Sequence, residues 1–96
     1  MIACSLTFAV ADEPKHTYMP PAGYVPDEAT AIKIAVAVWE PIYGAEHIAT
    51  EKPGLATLHD GVWTVTGSLP NNTPGSVAIA EISKVDGRII RVSHAK

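Results

Sequence analysis

Two periods of apolar residues run along the chain, and the change between them falls at Lys52-Pro53-Gly54. Before it, Ala29, Ile32, Ala35, Val36 and Trp39 recur at three- and four-residue intervals, the spacing of one buried helix face. Ile34 and Val38 widen that face, and Lys33, Ala37 and Glu40 fall opposite. The helix starts after Val25. Pro26 suits a first helical position, and Asp27 and Glu28 set negative charge against the positive end of the helix dipole. Pro41 is expected to end or kink it near Trp39 or Glu40, because proline lacks an N–H and disfavours helical geometry in its predecessor. A second short turn over residues 45–50 follows Gly44.

After Gly54 the period becomes alternation. Leu55-Ala56-Thr57-Leu58-His59 and Val62-Trp63-Thr64-Val65-Thr66 read as strands, as do residues 77–83 and 88–94. Asp60-Gly61 and Asp86-Gly87 are hairpin signals between them. Residues 69–76 hold two prolines, two asparagines and a glycine, which predicts an exposed connection. In these registers Ile82, Ile90 and Val92 join Trp63 and Val65 on an apolar sheet face, with Thr64, Thr66, Glu81, Arg91 and Ser93 on the other. The expected architecture is α+β: one main N-terminal helix packed on a four-stranded, mostly antiparallel sheet. It is not a βαβ nucleotide fold, and no repeat of solenoid length recurs.

Residues 1–11 carry no charge and end in Ala9-Val10-Ala11, a small-x-small triplet of the kind signal peptidase accepts. They read as the back half of a secretory signal cleaved after Ala11, which implies a periplasmic protein. The missing basic n-region implies a start codon upstream or a trimmed start. Two alternatives stay open: a short strand in which Leu6, Phe8 and Val10 alternate with Thr7 and Ala9, and a lipobox ending at Cys4. Residues 12–23 form an extended leader, broken by Pro14, Pro20, Pro21 and Gly23, that Tyr18, Met19 and Tyr24 would pin to the core. Residues 24–96 make the single folded domain.

Composition narrows the chemistry. A chain of 96 residues buries only about 60–65% of its unfolded surface, which leaves little room for a deep catalytic pocket. Apolar residues at 47% and charged ones at 18% argue for a folded core. Seven basic against ten acidic residues give a net charge of -3, which disfavours nucleic acid as a partner. The one cysteine cannot form an internal disulfide. His16, His47, His59 and His94 form no HxH or HExxH motif, so neither a metal nor another cofactor is expected. No serine lies in a nucleophile elbow, and the adjacent carboxylates Asp27 and Glu28 are explained by the helix dipole, so no catalytic residue is assigned. Binding is the remaining role. Glu40, Glu46, Glu51 and Asp60 are candidates for an acidic surface facing a basic partner. Asn71, Asn72 and Thr73 lie in a proline-stiffened loop suited to entering a concave partner, and Trp63 is either a core anchor or an interface hot spot.

Several blocks carry a likeness. Gly23-Tyr24-Val25-Pro26-Asp27-Glu28, Thr30-Ala31-Ile32-Lys33-Ile34-Ala35 and Trp39-Glu40-Pro41-Ile42-Tyr43-Gly44 resemble the opening signature of the bacterial immunity proteins with a nuclear-transport-factor-two-like fold. Val62-Trp63-Thr64-Val65-Thr66-Gly67-Ser68-Leu69-Pro70 resembles that family's central strand and exit. Glu81-Ile82-Ser83-Lys84-Val85-Asp86-Gly87-Arg88-Ile89-Ile90, followed by Val92, His94 and Lys96, resembles its closing hairpin. The resemblance implies a reduced cystatin-like or nuclear-transport-factor-two-like cone. It also implies a non-enzymatic antidote that binds and neutralises a cognate secreted toxin. The export reading, and not the resemblance, sets that toxin in the periplasm, acting on peptidoglycan or the membrane; occlusion of its active site is the expected mode, and monomer and homodimer both stay open. The alternative is a periplasmic regulatory or peptidase-inhibitory module resembling PepSY, to which the Asp86-Gly87 hairpin bears a weaker likeness.

Overall fold

The computed structural model describes residues 16–69 and 75–94. In it, α1 (Glu28–Tyr43) and α2 (Ala45–Ala49) precede four strands, β1 (Leu55–His59), β2 (Val62–Thr66), β3 (Ala78–Ser83) and β4 (Ile89–His94). The strands pair in chain order and every pair is antiparallel. The β1–β2 reversal has φ of 50° at Asp60 and 76° at Gly61. Positive φ at both central residues is the two-residue hairpin turn whose twist matches that of the strands it joins.

Helix α1 starts two residues later than expected, with Pro26 and Asp27 both outside it. Asp27 stands outside as the N-cap, and its Oδ1 accepts from the Thr30 N–H at 2.8 Å and the Thr30 hydroxyl at 2.6 Å. Those bonds, the hydroxyl's first, hold the Asp27 carboxyl below the usual aspartate range. Ala31, Ala35 and Trp39 form the fully buried stripe, whereas Ala29 is exposed and Ile32 and Val36 are half-buried. The helix is therefore rotated from the face its larger apolar residues predict. Small side chains in both layers, Ala31 and Ala35 above and Ala78 and Ala80 below, share the core with Trp39, Val65 and Ile82. The helix also continues through Pro41 to Tyr43, closed by Gly44 N–H donating to the Glu40 carbonyl at 2.8 Å. Pro41 removes only the donor for Ala37, which lies on the exposed side, where water can serve the carbonyl.

The sheet register places Ala56, Val65, Ala80 and Val92 in one row across the four strands. Thr57, Thr64, Glu81 and Arg91 form a neighbouring row on the opposite face, ending in a Glu81–Arg91 ion pair at 3.0 Å. Beyond Glu81–Arg91 the register slips, so that Ile82 faces Ile89 and Ile90 is the extra residue of a β-bulge. Ile90 is 42% exposed, which corrects its expected place in the apolar layer.

The leader is attached differently from expectation. Tyr18, Met19 and Tyr24 are exposed, and the anchor is Val25, which is fully buried. Tyr24 and Val25 N–H groups donate to the Val85 and Lys84 carbonyls at 2.9 and 3.0 Å, and the buried Trp63 indole donates to the Val25 carbonyl at 2.8 Å. Gly23, at φ 86°, passes so close that a Cβ would stand 2.5 Å from the Lys84 carbonyl oxygen.

Two substitutions test this account. Trp39→Ala should cost about 3–5 kcal/mol in urea unfolding, the penalty of emptying a buried indole site. Because the Asp27 value is depressed, its contribution to stability is complete above about pH 4 and is lost as the pH falls through the folded-state value. Asp27→Asn keeps a capping side chain but does not titrate. Its melting temperature should therefore fall less than that of the native chain over this acid interval.

Candidate functional site

The chain's least expected charge is Glu51, just past α2, whose residue surface is 4% exposed. An isolated buried carboxylate is costly, so its oxygens must find donors. Glu51 Oε1 accepts from the Ala78 N–H at 2.8 Å, at the first residue of β3. The backbone around it closes the same corner: Ser68 N–H donates to the Glu51 carbonyl at 2.7 Å, and Gly67 N–H to the Ala78 carbonyl at 3.0 Å. Gly67 is glycine for a local reason, since a Cβ there would run into Glu51 Oε1 and lie 2.9 Å from Glu51 Cβ.

The other oxygen, Oε2, meets two imidazoles. His47 Nε2 and His94 Nε2 each lie 2.8 Å from it and 3.2 Å from one another. His47 and Glu51 are four residues apart at the α2 end of the corner, and His94 is the last residue of β4. The Tyr43 ring, at the end of α1, meets His94 edge-on with centroids 5.0 Å apart. Burial pushes the Glu51 carboxyl up; the Ala78 amide, the His94 hydrogen bond and the charges of His94 and His47 outweigh it and hold it below the ordinary glutamate value. His47 is half exposed and His94 mostly covered, so the cluster opens to solvent on the His47 side. Two imidazole nitrogens and one carboxylate oxygen converging within these distances are a donor set that suits a borderline divalent metal.

The expected contact residues are spread over several elements. Glu46 is exposed on α2, and Asp60 is exposed at the β1–β2 turn, 3.2 Å from His59 Nε2. Glu40 is half-buried and lines an open, mainly apolar groove with Ile32, Val36, Lys52 and Pro53. Glu51 does not belong to an acidic surface, because its carboxylate points inward to the donors just described. Trp63 is 5% exposed and holds Val25, so it is a core anchor. Asn71, Asn72 and Thr73 lie outside the described residues. Sequence reasoning missed the His47–Glu51–His94 cluster because its members are 43 residues apart at the widest step. The His47-x-x-x-Glu51 spacing was the one local signal.

Gly67→Ala should lower stability by about 1–3 kcal/mol, through the clash with Glu51 and the displacement of its hydrogen bonds. Thermal melting measures that loss, and an unchanged melt would contradict the close Gly67–Glu51 packing.

Comparison with known proteins places this geometry. The family model Imm-NTF2-2, described as NTF2 fold immunity protein, matches residues 30–96, which take in most of α1, α2 and the whole sheet. The uncharacterized protein YhhH of Escherichia coli (strain K12) is 34% identical over 73 residues, covering 75% of this chain and 58% of that protein. The chain thus spans less than two thirds of that relative's length. No solved structure matches it significantly. The helix-on-meander fold and the match across most of its length together show that the chain belongs to the NTF2 fold immunity protein family.

Proposed function

We propose that the chain binds a cognate antibacterial toxin in the periplasm and neutralises it by covering the toxin's active site. The observation that carries the reading is the family match over residues 30–96, which includes the closing hairpin on which the PepSY alternative rested. The role needs a rigid surface and no turnover. Helix α1 and the meander supply the frame, and Glu46, Asp60 and the half-buried Glu40 supply negative charge for a basic cleft. Asn71, Asn72 and Thr73 remain the proposed insertion loop. The periplasmic setting rests on the uncharged, apolar character of residues 1–11, and in that compartment the toxin would act on peptidoglycan or on the membrane.

A tagged chain expressed in its native bacterium should be recovered from the periplasmic fraction with its N-terminus at Asp12, together with one secreted effector at fixed stoichiometry. Glu46→Lys combined with Asp60→Lys should slow association and weaken binding at least about tenfold while leaving the melt unchanged. Absence of the effector from the captured material, when it is present in the extract, would overturn the proposal.

A further inference from the structure

We infer that His47, Glu51 and His94 form a binding site for one divalent transition-metal ion of the zinc class. The triangle formed by Glu51 Oε2 and the two Nε2 atoms has sides of 2.8, 2.8 and 3.2 Å. A point about 2.1 Å from all three corners, the ordinary zinc–nitrogen and zinc–oxygen distance, lies roughly 1 Å out of the plane of that triangle. The three ligand–metal–ligand angles there are about 84°, 84° and 99°, which leaves a fourth position open for water or a ligand from a partner.

The surroundings orient the donors as metal ligands are usually oriented. Glu51 spends Oε1 on the Ala78 amide, which fixes the carboxylate and leaves Oε2 directed at the imidazoles. The Tyr43 ring packs against His94. Outer contacts of this kind set ligand geometry and affinity. The donor chemistry also discriminates: two imidazoles and one carboxylate suit zinc and its neighbours, whereas magnesium and calcium favour all-oxygen shells. Access is present because His47 keeps half of its side-chain surface exposed. A bound ion would tie the α2 corner directly to the end of β4, and it would do so whether or not a toxin is bound.

The test uses the whole chain, stripped with a chelator and titrated with Zn2+ alone by calorimetry and by competition with a metal indicator. One equivalent should bind per chain and raise the melting temperature, since an ion that binds only the folded state stabilises it. His47→Ala removes the more exposed of the two imidazoles, and its metal-free melting temperature gives the baseline against which its response to zinc is read. Its zinc affinity should fall at least about tenfold and the zinc-dependent rise in melting temperature should disappear. His59→Ala, which alters an exposed histidine outside the cluster, should bind as the native chain does. Should His47→Ala lose its fold, Zn2+ binding by the native chain is read by X-ray absorption, where two imidazoles and a carboxylate oxygen are expected. No zinc binding at micromolar concentration, affinity unaffected by His47→Ala, or an absorption spectrum lacking two imidazoles would each overturn the site and leave a hydrogen-bonded latch.

Discussion

A carboxylate enclosed at the junction of a helix and a sheet has to be neutralised by its neighbours, and the arrangement of this domain around Glu51 follows from that requirement. Its donors come from parts of the chain far apart in sequence: the first amide of β3, the histidine that ends β4 and a histidine of α2. Meeting all of them sets where α2 stops, where β2 hands over to β3, and how far β4 extends. The Gly67 backbone fits against the same side chain, so the corner is sterically as well as electrostatically specified. At another point of the sheet, the Trp63 indole and the Val25 carbonyl perform a comparable service for the incoming chain. In a core this small and rich in alanine, these two polar attachments join segments distant in sequence.

Much of the fold was readable from the order of residues. The change of period at Pro53-Gly54 separates helix from sheet, and Asp60-Gly61 forms the turn that its residue types favour. The errors have specific causes. Proline near a helix C-terminus removes one bond to an exposed carbonyl, which is a weaker barrier than proline in a buried helix interior, so α1 runs past Pro41. Alternation identifies sheet faces only while the register is regular, and the bulge at Ile90 interrupts it. The buried stripe of α1 runs through Ala31 and Ala35 to Trp39, because alanine lets helix and sheet approach closely at the contact, a preference that apolar spacing alone does not express.

The candidate site was less legible than the fold. Glu51 follows a short helix beside lysine and proline, and by residue type it reads as surface. Beyond the local His47, its partners Ala78 and His94 are brought to the same corner only by the sheet. Trp63 was open to two readings, and its indole donation to Val25 decides for the core. The family match spans most of α1, α2 and the whole sheet, so it identifies the scaffold while specifying little about the surface that meets a partner.

The β2–β3 connection is closed at its base before its tip is reached. Gly67 reaches Ala78 on one side, and Glu51 holds the Ala78 amide on the other. The strands are therefore set in register independently of what lies between Leu69 and Gly75. Lengthening such a closed loop costs only about 0.6 kcal/mol for each doubling of its length. The register of the meander is thus insulated from changes in the length of the segment that joins its two middle strands.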